Sequence, residues 1–565
     1  MTDVPTIPDI GAYTFYKQEW ESYDQLVDAF SHEIPDTFNL ATYLVDRWAA
    51  DTGSVAIFGD GTTQSARTYT YWQLQKITNR LANYLRDQGI ERGDRVGVYL
   101  PQKPETAMAH LACWKLGAIS VPLSPLFGPD ALEYRLADSG AKACFVDSEC
   151  IASLREVKSQ LDALGTILTV GEDDREADEH DFWDVQETAS HEFETVETDA
   201  DESATILYTS GTTGDPKGVV HAHRFLLGSL PNYLVGLCNF DVTESDVFWT
   251  PADWAWIAGL FVTMAPTLYH GRPLLAYYRD GGFDPIETFE LIERYGISAT
   301  FLPPTAIRMM MHETDAAADY DLTTIRSIAS GGESLGPDVS EWAENVFDGA
   351  VVQEVYGQTE LMYIVQEMQK LFARREESMG KPGLGRGEVA LMDPDTGEPT
   401  VGVDEVGEIA IKYENDPICF KGYWNKPEKT AAVRKNGWHY TSDTATRDAD
   451  GYYYFVGRKD DVIISAGHRI GPDELENAIA SHDAVVNVGV IGIPDEKRGT
   501  IPKAFVELGP GYKPSEALKE ELQAYTKDRL AKHEYPREIE FVEALPLTVT
   551  GKVRRTTLRD LEGIE

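Results

Sequence analysis

Across 565 residues, 42% of them hydrophobic, the chain carries 50 Lys+Arg against 94 Asp+Glu, a net charge of −44. That length exceeds what one core supports and predicts two or more domains, while the charge argues against nucleic acid as a partner. No run of about 18 apolar residues is present, the start Met1-Thr2-Asp3-Val4-Pro5 lacks a basic region before an apolar stretch, and the five cysteines (Cys113, Cys144, Cys150, Cys238, Cys419) are scattered, so the expectation is a cytoplasmic protein with reduced thiols, no secretory signal and no membrane span.

Taken in chain order, the apolar runs 96–100, 142–146 and 204–208 read as strands, and Pro104 to Leu116 reads as a helix between the first two. Strands alternating with helical segments predict an α/β fold of parallel-rich sheets covered by helices. The acidic stretch from 172 to 202 reads as a surface excursion between two strands. Gly383-Leu384-Gly385-Arg386-Gly387 resembles part of a dinucleotide fingerprint but lacks the strand-to-helix setting, and reads as a turn.

The segment Tyr208-Thr209-Ser210-Gly211-Thr212-Thr213-Gly214-Asp215-Pro216-Lys217-Gly218 is the most informative. Glycines bring backbone N–H groups close to an anion, and hydroxyls and a lysine add donors and positive charge, as a phosphate site requires. It is not a Walker A loop, because Lys217 lies between Pro216 and Gly218. By composition alone, a phosphate loop and a solvated turn both remain open.

Three further motifs follow. They are Tyr356-Gly357-Gln358-Thr359-Glu360, then Tyr440-Thr441-Ser442-Asp443 with Gly457-Arg458-Lys459-Asp460-Asp461, and Leu547-Thr548-Val549-Thr550-Gly551-Lys552. With the first segment, and in this order, they resemble the signatures of the adenylate-forming acyl-CoA synthetases, AMP-forming ligases that also include luciferases and peptide-synthetase adenylation domains. The resemblance is nearest to the medium-chain and acetyl-CoA members. It implies an N-terminal adenylation domain over residues 1–458 and a small, mobile α+β domain over 459–565, with a hinge at Asp460.

The same resemblance implies the chemistry: a carboxylate attacks ATP to give acyl-AMP, and coenzyme A then takes the acyl group. Thr209, Ser210, Gly211, Thr212, Thr213, Gly214 and Lys217 would hold the β- and γ-phosphates. Glu360 would hold magnesium, and Thr359 would donate to the α-phosphate. Tyr356, Gly357 and Gln358, with Gly331, Gly332 and Glu333, would flank the nucleotide, Asp443 would accept from the ribose hydroxyls, and Arg458 would support ribose and phosphate. Lys552 would be the mobile catalytic lysine, open to regulatory acylation. Gly467 would let pantetheine approach, Arg469 would contact phosphate in one of two domain states, and Lys527 and Arg529 are candidates for the coenzyme A phosphate. Taken singly, Asp443 reads equally as a turn residue, and Arg458, Lys527 and Arg529 as solvated cations.

The acyl site is implied by two positions. Acetyl-CoA synthetases carry a tryptophan where this chain has Gly357, which implies an open tunnel where each buried methylene of a longer acid gains about 0.8 kcal/mol. Trp254, in Pro251-Ala252-Asp253-Trp254-Ala255-Trp256-Ile257, would cap that tunnel from another wall; both tryptophans are also readable as plain core. The expectation is a short- to medium-chain aliphatic acid, straight or branched, and Gly357→Trp is expected to shift preference toward acetate. The alternatives are an acetate-specific enzyme, a ligase that loads a separate carrier protein, and, more remotely, a non-catalytic acyl or nucleotide sensor. Because the chain ends soon after Lys552, a peptide-synthetase module is disfavoured.

The charge adds an expectation of its own. A surface so acidic repels itself in dilute buffer and becomes tolerable at molar salt, where the Debye length falls to about 3 Å. Acid is also dense from Asp315 to Asp321 and toward the C-terminus, not only at 172–202. The expectation is therefore a halophilic host and unfolding at low salt.

Overall fold

The apolar runs become neighbouring strands. In the computed structural model, Arg95–Tyr99 lies between Ile119–Pro122 and Ala143–Asp147, with all three parallel, and Ile119–Pro122 pairs in parallel with Ser203–Thr209. The structure describes residues 7, 9–62, 66–209, 216–393, 396–400, 402–459, 461, 463–465, 468–495, 498–509, 511–530, 535–547 and 552–564. Ala143–Asp147 and Ile119–Pro122 are buried along their whole length, as strands covered on both faces must be. One cover is the helix Pro104–Leu116. Proline opens it, Gly117 at φ 74° closes it, and every one of its side chains is buried.

Among the described residues the strands form three sheets, of eight, fourteen and five strands. The second runs parallel from Val55–Gly61 through Leu274–Tyr278, Phe248–Trp249, Ala299–Phe301 and Ser327–Gly331 to Val351–Gln358. Beyond Val351–Gln358 it turns antiparallel, through Met362–Gln366, Ser378–Pro382, Tyr453–Arg458 and Trp438–Arg447. The third sheet, from Ile463–Ser465 to Glu538–Val542, is antiparallel except for its last pair. It closes a separate core of Ile463, Leu475, Ile479, Val490, Val506 and Leu522.

The third sheet begins at Ile463, just after the last strand of the second ends at Arg458; Asp460, the expected hinge, lies outside the described residues. The final helix, Arg555–Glu562, is tied back to this junction. Arg555 donates to Glu476 Oε2 at 2.7 Å, Asp473 Oδ1 at 2.8 Å and Asp461 Oδ2 at 3.2 Å.

The acidic excursion is more ordered than its composition suggests. Glu179–Asp181 adds an edge strand parallel to Thr166–Val170, and Asp184–Thr188 is a short helix. The amides of Asn79 and Asn83 then hold the carbonyls of His191, Ser190 and Glu192. Acid is tolerated because it is paired: Arg155 meets Glu179, and Lys158 meets Glu176 and Asp178. The turn read at 383–387 is present, and Arg386 buries its guanidinium against Asp416 at 3.1 Å, a charge that only a partner makes tolerable. All five cysteines are buried free thiols. Among the described residues no helix is long and apolar enough to cross a membrane.

Candidate active site

The strands Ser327–Gly331 and Val351–Gln358 end side by side, Gly331 opposite Val355. Ligands of open α/β sheets lie outside such carboxyl ends. The Gly331-Gly332-Glu333 and Tyr356-Gly357-Gln358-Thr359-Glu360 segments both reach that edge. Close approach selects the glycines, since a Cβ on Gly331 would stand 2.2 Å from the Val355 carbonyl oxygen and Gly332 has φ +96°. Glu333 Oε2 accepts from Thr305 Oγ1 at 3.1 Å and from Arg308 Nη1 at 3.3 Å.

Asp443 and Arg458 are direct partners across the antiparallel pair Trp438–Arg447 and Tyr453–Arg458. Asp443 Oδ2 accepts from Tyr356 Oη at 2.6 Å and from Gln358 Nε2 at 2.7 Å, and the same Gln358 amide donates to the Thr441 carbonyl at 2.8 Å. Two motifs far apart in sequence thus meet on one carboxylate oxygen. Burial lifts the Asp443 carboxyl above its ordinary range, opposed by the Tyr356 hydrogen bond and by Arg458; burial, with the Asp443 charge, also raises the Tyr356 phenol. Ser442, next in the chain, takes φ 63°, a left-handed conformation rare for a residue with a side chain. It is held there by its N–H, which donates to Glu408 Oε1 at 3.1 Å, and by its carbonyl, which accepts from the Lys459 N–H at 2.8 Å.

Lys552 lies at the same place. Its Cε and Nζ are 3.8 and 3.9 Å from where a Cβ of Gly332 would sit, and its charge acts on the Asp443 carboxyl. On the other sheet, Ser203–Thr209 and Lys217–Ala222 form an antiparallel pair with Thr209 opposite Lys217, so both ends of the intervening loop are fixed. Ser210, Gly211, Thr212, Thr213 and Gly214 lie outside the described residues. The backbone of Thr359 runs beside His221, whose ring burial holds neutral by lowering its pKa to about 3.

Not every expected position joins this cluster. Lys527 and Arg529 are exposed on the helix Glu516–Arg529, over the rings of Tyr535 and Tyr525 at 5.3 and 4.4 Å. Gly467 lies outside the described residues, and Arg469 is described only as backbone, paired with Ile464.

The acyl positions gain a different meaning. A Cβ on Gly357 would stand 1.8 Å from the Met362 carbonyl oxygen and 2.4 Å from its carbon, at a register shift between the strands. The glycine therefore has a backbone reason, whatever the shape of a pocket, and Gly357→Trp meets the Met362 backbone before it can reach a tunnel. Trp254 is fully buried in the main core, its indole N–H without a partner, whereas Trp256 packs edge-on against Phe127 at 5.9 Å.

Two residues at the site carried no signal in the sequence. Glu408 holds the Ser442 turn and also receives the Lys459 ammonium at 2.9 Å. Tyr423 donates to Glu360 Oε1 at 2.7 Å. Each is a single residue in an ordinary strand, remote in sequence from the group it touches, and only strand pairing brings it there.

Residues 45–424 match the family model described as AMP-binding enzyme, and residues 474–552 match the AMP-binding enzyme C-terminal domain. Acetyl-coenzyme A synthetase of Bacillus subtilis (strain 168) is 36% identical over 501 residues, covering 87% of this chain and 85% of that protein. The mitochondrial acyl-coenzyme A synthetase ACSM3 of Mus musculus is 32% identical over 565 residues, covering 97% and 94%. Among solved structures, the acyl-CoA synthetase of Brucella canis aligns with TM-score 0.73 at 33% identity, covering 96% of this chain and 99% of that one. The anthranilate CoA ligase AuaEII in complex with anthranoyl-AMP aligns with TM-score 0.85 at 28% identity, covering 94% and 98%.

Proposed function

Given that the chain belongs to the AMP-binding enzyme family and is an ATP-dependent, AMP-forming acid–CoA ligase, we propose how its residues divide the work and which acids it takes. The observation that carries the reading is the meeting of Lys552, Gly332, Asp443, Tyr356 and Gln358 at one sheet edge.

In the first half-reaction a carboxylate oxygen of the acid attacks the α-phosphorus of ATP, the bond to the β-phosphate oxygen breaks, and pyrophosphate leaves. Charge accumulates on oxygens that already repel one another, so catalysis rests on positioning and on cations where charge develops. Lys552 would supply such a cation at the α-phosphate and the carboxylate, Thr359 would donate to the α-phosphate, and Lys217, with the residues of the 209–214 segment, would hold the outer phosphates. Asp443, with Oδ2 taken by Tyr356 and Gln358, offers its other oxygen to the ribose hydroxyls, and Arg458 lies across from it. In the second half-reaction the coenzyme A sulfur attacks the acyl carbonyl carbon, its proton leaves to solvent, and the bond to AMP breaks. That step needs Lys552 withdrawn, which the 459–565 domain would do by turning about Asp460, bringing Gly467 toward pantetheine.

Magnesium fits the same site. Among the described residues no group of three or more His, Cys, Asp or Glu side chains is placed to hold a metal, and magnesium on nucleotides needs only one or two carboxylates beside phosphate oxygens and water. Glu360 supplies that carboxylate; bound there, magnesium would offset phosphate charge.

For the acid we retain a short- to medium-chain aliphatic carboxylate, straight or branched, used in fatty acid metabolism in the cytoplasm of a halophile. Discrimination of about 1–3 kcal/mol per methylene predicts a set of neighbouring acids. Acetate is the second reading, favoured by the fully buried Trp254 and by similarity to an acetyl-coenzyme A synthetase. Acylation of Lys552 would remove its charge and stop the first half-reaction.

The test is pyrophosphate release at high salt with ATP, magnesium and acids from acetate to octanoate, with and without coenzyme A. A maximum between propionate and hexanoate, with thioester formed only with coenzyme A, is expected. A maximum at acetate replaces the aliphatic reading with the second. Turnover without thioester points to a carrier-protein acceptor.

A further inference from the structure

Tyr423 is the residue that touches both phosphate-site groups named above. Its hydroxyl donates to Glu360 Oε1 at 2.7 Å, and the ammonium of Lys217 stands 4.8 Å from its ring centroid. A phenol hydroxyl on a carboxylate is a charge-assisted hydrogen bond, and a cation above the ring face is attracted by its quadrupole. One side chain therefore holds a cation by its face and an anion by its edge.

The side chain is itself held in place. Gly422–Tyr423 pairs antiparallel with Lys217–Ala222, Tyr423 opposite Val219, so Tyr423 rides on the strand that begins with Lys217. Its N–H donates to Thr430 Oγ1 at 2.9 Å, and its ring packs edge-on against Phe420 at 5.0 Å. The Phe420 N–H donates to the Glu360 carbonyl at 3.0 Å, and the Trp424 N–H to the Gly218 carbonyl at 2.7 Å. The 420–424 segment thus stitches the strand carrying Lys217, from the eight-stranded sheet, to Glu360 in the turn that follows Val351–Gln358 of the fourteen-stranded sheet. Tyr423 is 7% exposed, so water competes little for its hydroxyl.

We infer that Tyr423 is a positioning residue that sets the placement of Lys217 and Glu360, the groups that would hold the outer phosphates and a magnesium ion. Ring face and hydroxyl thus give the ammonium and the carboxylate separate contacts on one side chain. The inference rests on the phosphate and metal roles proposed for Lys217 and Glu360.

The experiment separates ring from hydroxyl. Calorimetric titration with ATP in the absence of acid, with and without magnesium, reads binding without turnover, and pyrophosphate release reads kcat and KM. Tyr423→Phe keeps the ring and removes the hydroxyl. It should weaken the magnesium-dependent part of ATP binding about tenfold and leave binding without magnesium unchanged. Tyr423→Leu should, in addition, weaken binding without magnesium about threefold. In a Glu360→Gln background, Tyr423→Phe should add little, because its effect runs through Glu360. Loss of effect in Glu360→Gln and Lys217→Ala themselves overturns the site assignment. Full effects there with both Tyr423 variants at wild-type values overturn the role of Tyr423 alone, as does an equal loss for Phe and Leu with and without magnesium, accompanied by a lowered melting temperature, which marks a packing residue.

Discussion

Lys552 packs on Gly332: a side chain begun at Gly332 would meet its Cε at 3.8 Å and its Nζ at 3.9 Å. The lysine lies three residues before the helix Arg555–Glu562, and the glycine directly follows the strand Ser327–Gly331 of the large sheet. If Lys552 has the role proposed for it, this arrangement is the one that serves the first half-reaction. Lys552→Ala is expected to lower pyrophosphate release about 100-fold or more, while thioester formation from supplied acyl-AMP stays near wild type. Equal loss in both half-reactions would contradict this division.

Gly357 gives a prediction opposite in kind to the one its sequence suggests. Because a Cβ there would stand 1.8 Å from the Met362 carbonyl oxygen, even Gly357→Ala should destabilise the protein, on the order of 1–3 kcal/mol. Gly357→Trp is expected to lower the denaturation midpoint and cut turnover on every acid alike. A stable Gly357→Trp protein with a shifted chain-length profile would show that the strand relaxes and that the position does face the acyl chain.

Glu354, on the strand Val351–Gln358, and Glu367, directly after the neighbouring strand Met362–Gln366, form a carboxyl pair. The Glu354 N–H donates to Glu367 Oε2 at 2.9 Å. Burial first, then the charge of Glu367, pushes Glu354 up to about 8, while burial pushes Glu367 up to about 7; Arg374 and Arg308 oppose the shifts. Both folded values exceed the unfolded value of about 4.3, so the folded protein holds more protons between them. Stability from this pair is complete below about pH 4.3 and falls as pH rises through 7 to 8, by on the order of a few kcal/mol. Denaturant midpoints at constant salt should decline from pH 5 to 8, and Glu354→Gln should flatten that decline. An unchanged slope in Glu354→Gln would remove the pair as its cause.

The net charge of −44 sets the salt response. Arg155, Lys158 and Arg375 draw acids into local clusters, yet residues such as Asp315, Asp319 and Asp321 are exposed. Screening should matter most for those. The melting temperature is expected to rise steadily from 0.1 to 2 M potassium chloride, on the order of 10 °C or more. Equal melting in dilute buffer would count against a halophilic origin.

The sequence by itself determined the α/β class and the family. Strand and helix periodicity are local properties, and the helix read over Pro104 to Leu116 has those same bounds in the structure. Ordered motifs likewise named Asp443, Arg458, Glu360 and Lys552, because their order and spacing resemble the family's signatures, although each residue taken singly has an ordinary reading. Tertiary structure decided what those residues touch. That Tyr356 and Gln358 share one oxygen of Asp443 and that Tyr423 reaches Glu360 follows from strand order and register, which no spacing in the chain encodes. The same reason separates the two meanings of Gly357. In the sequence it is a missing side chain, and in the sheet it is the one residue that lets the Met362 carbonyl approach.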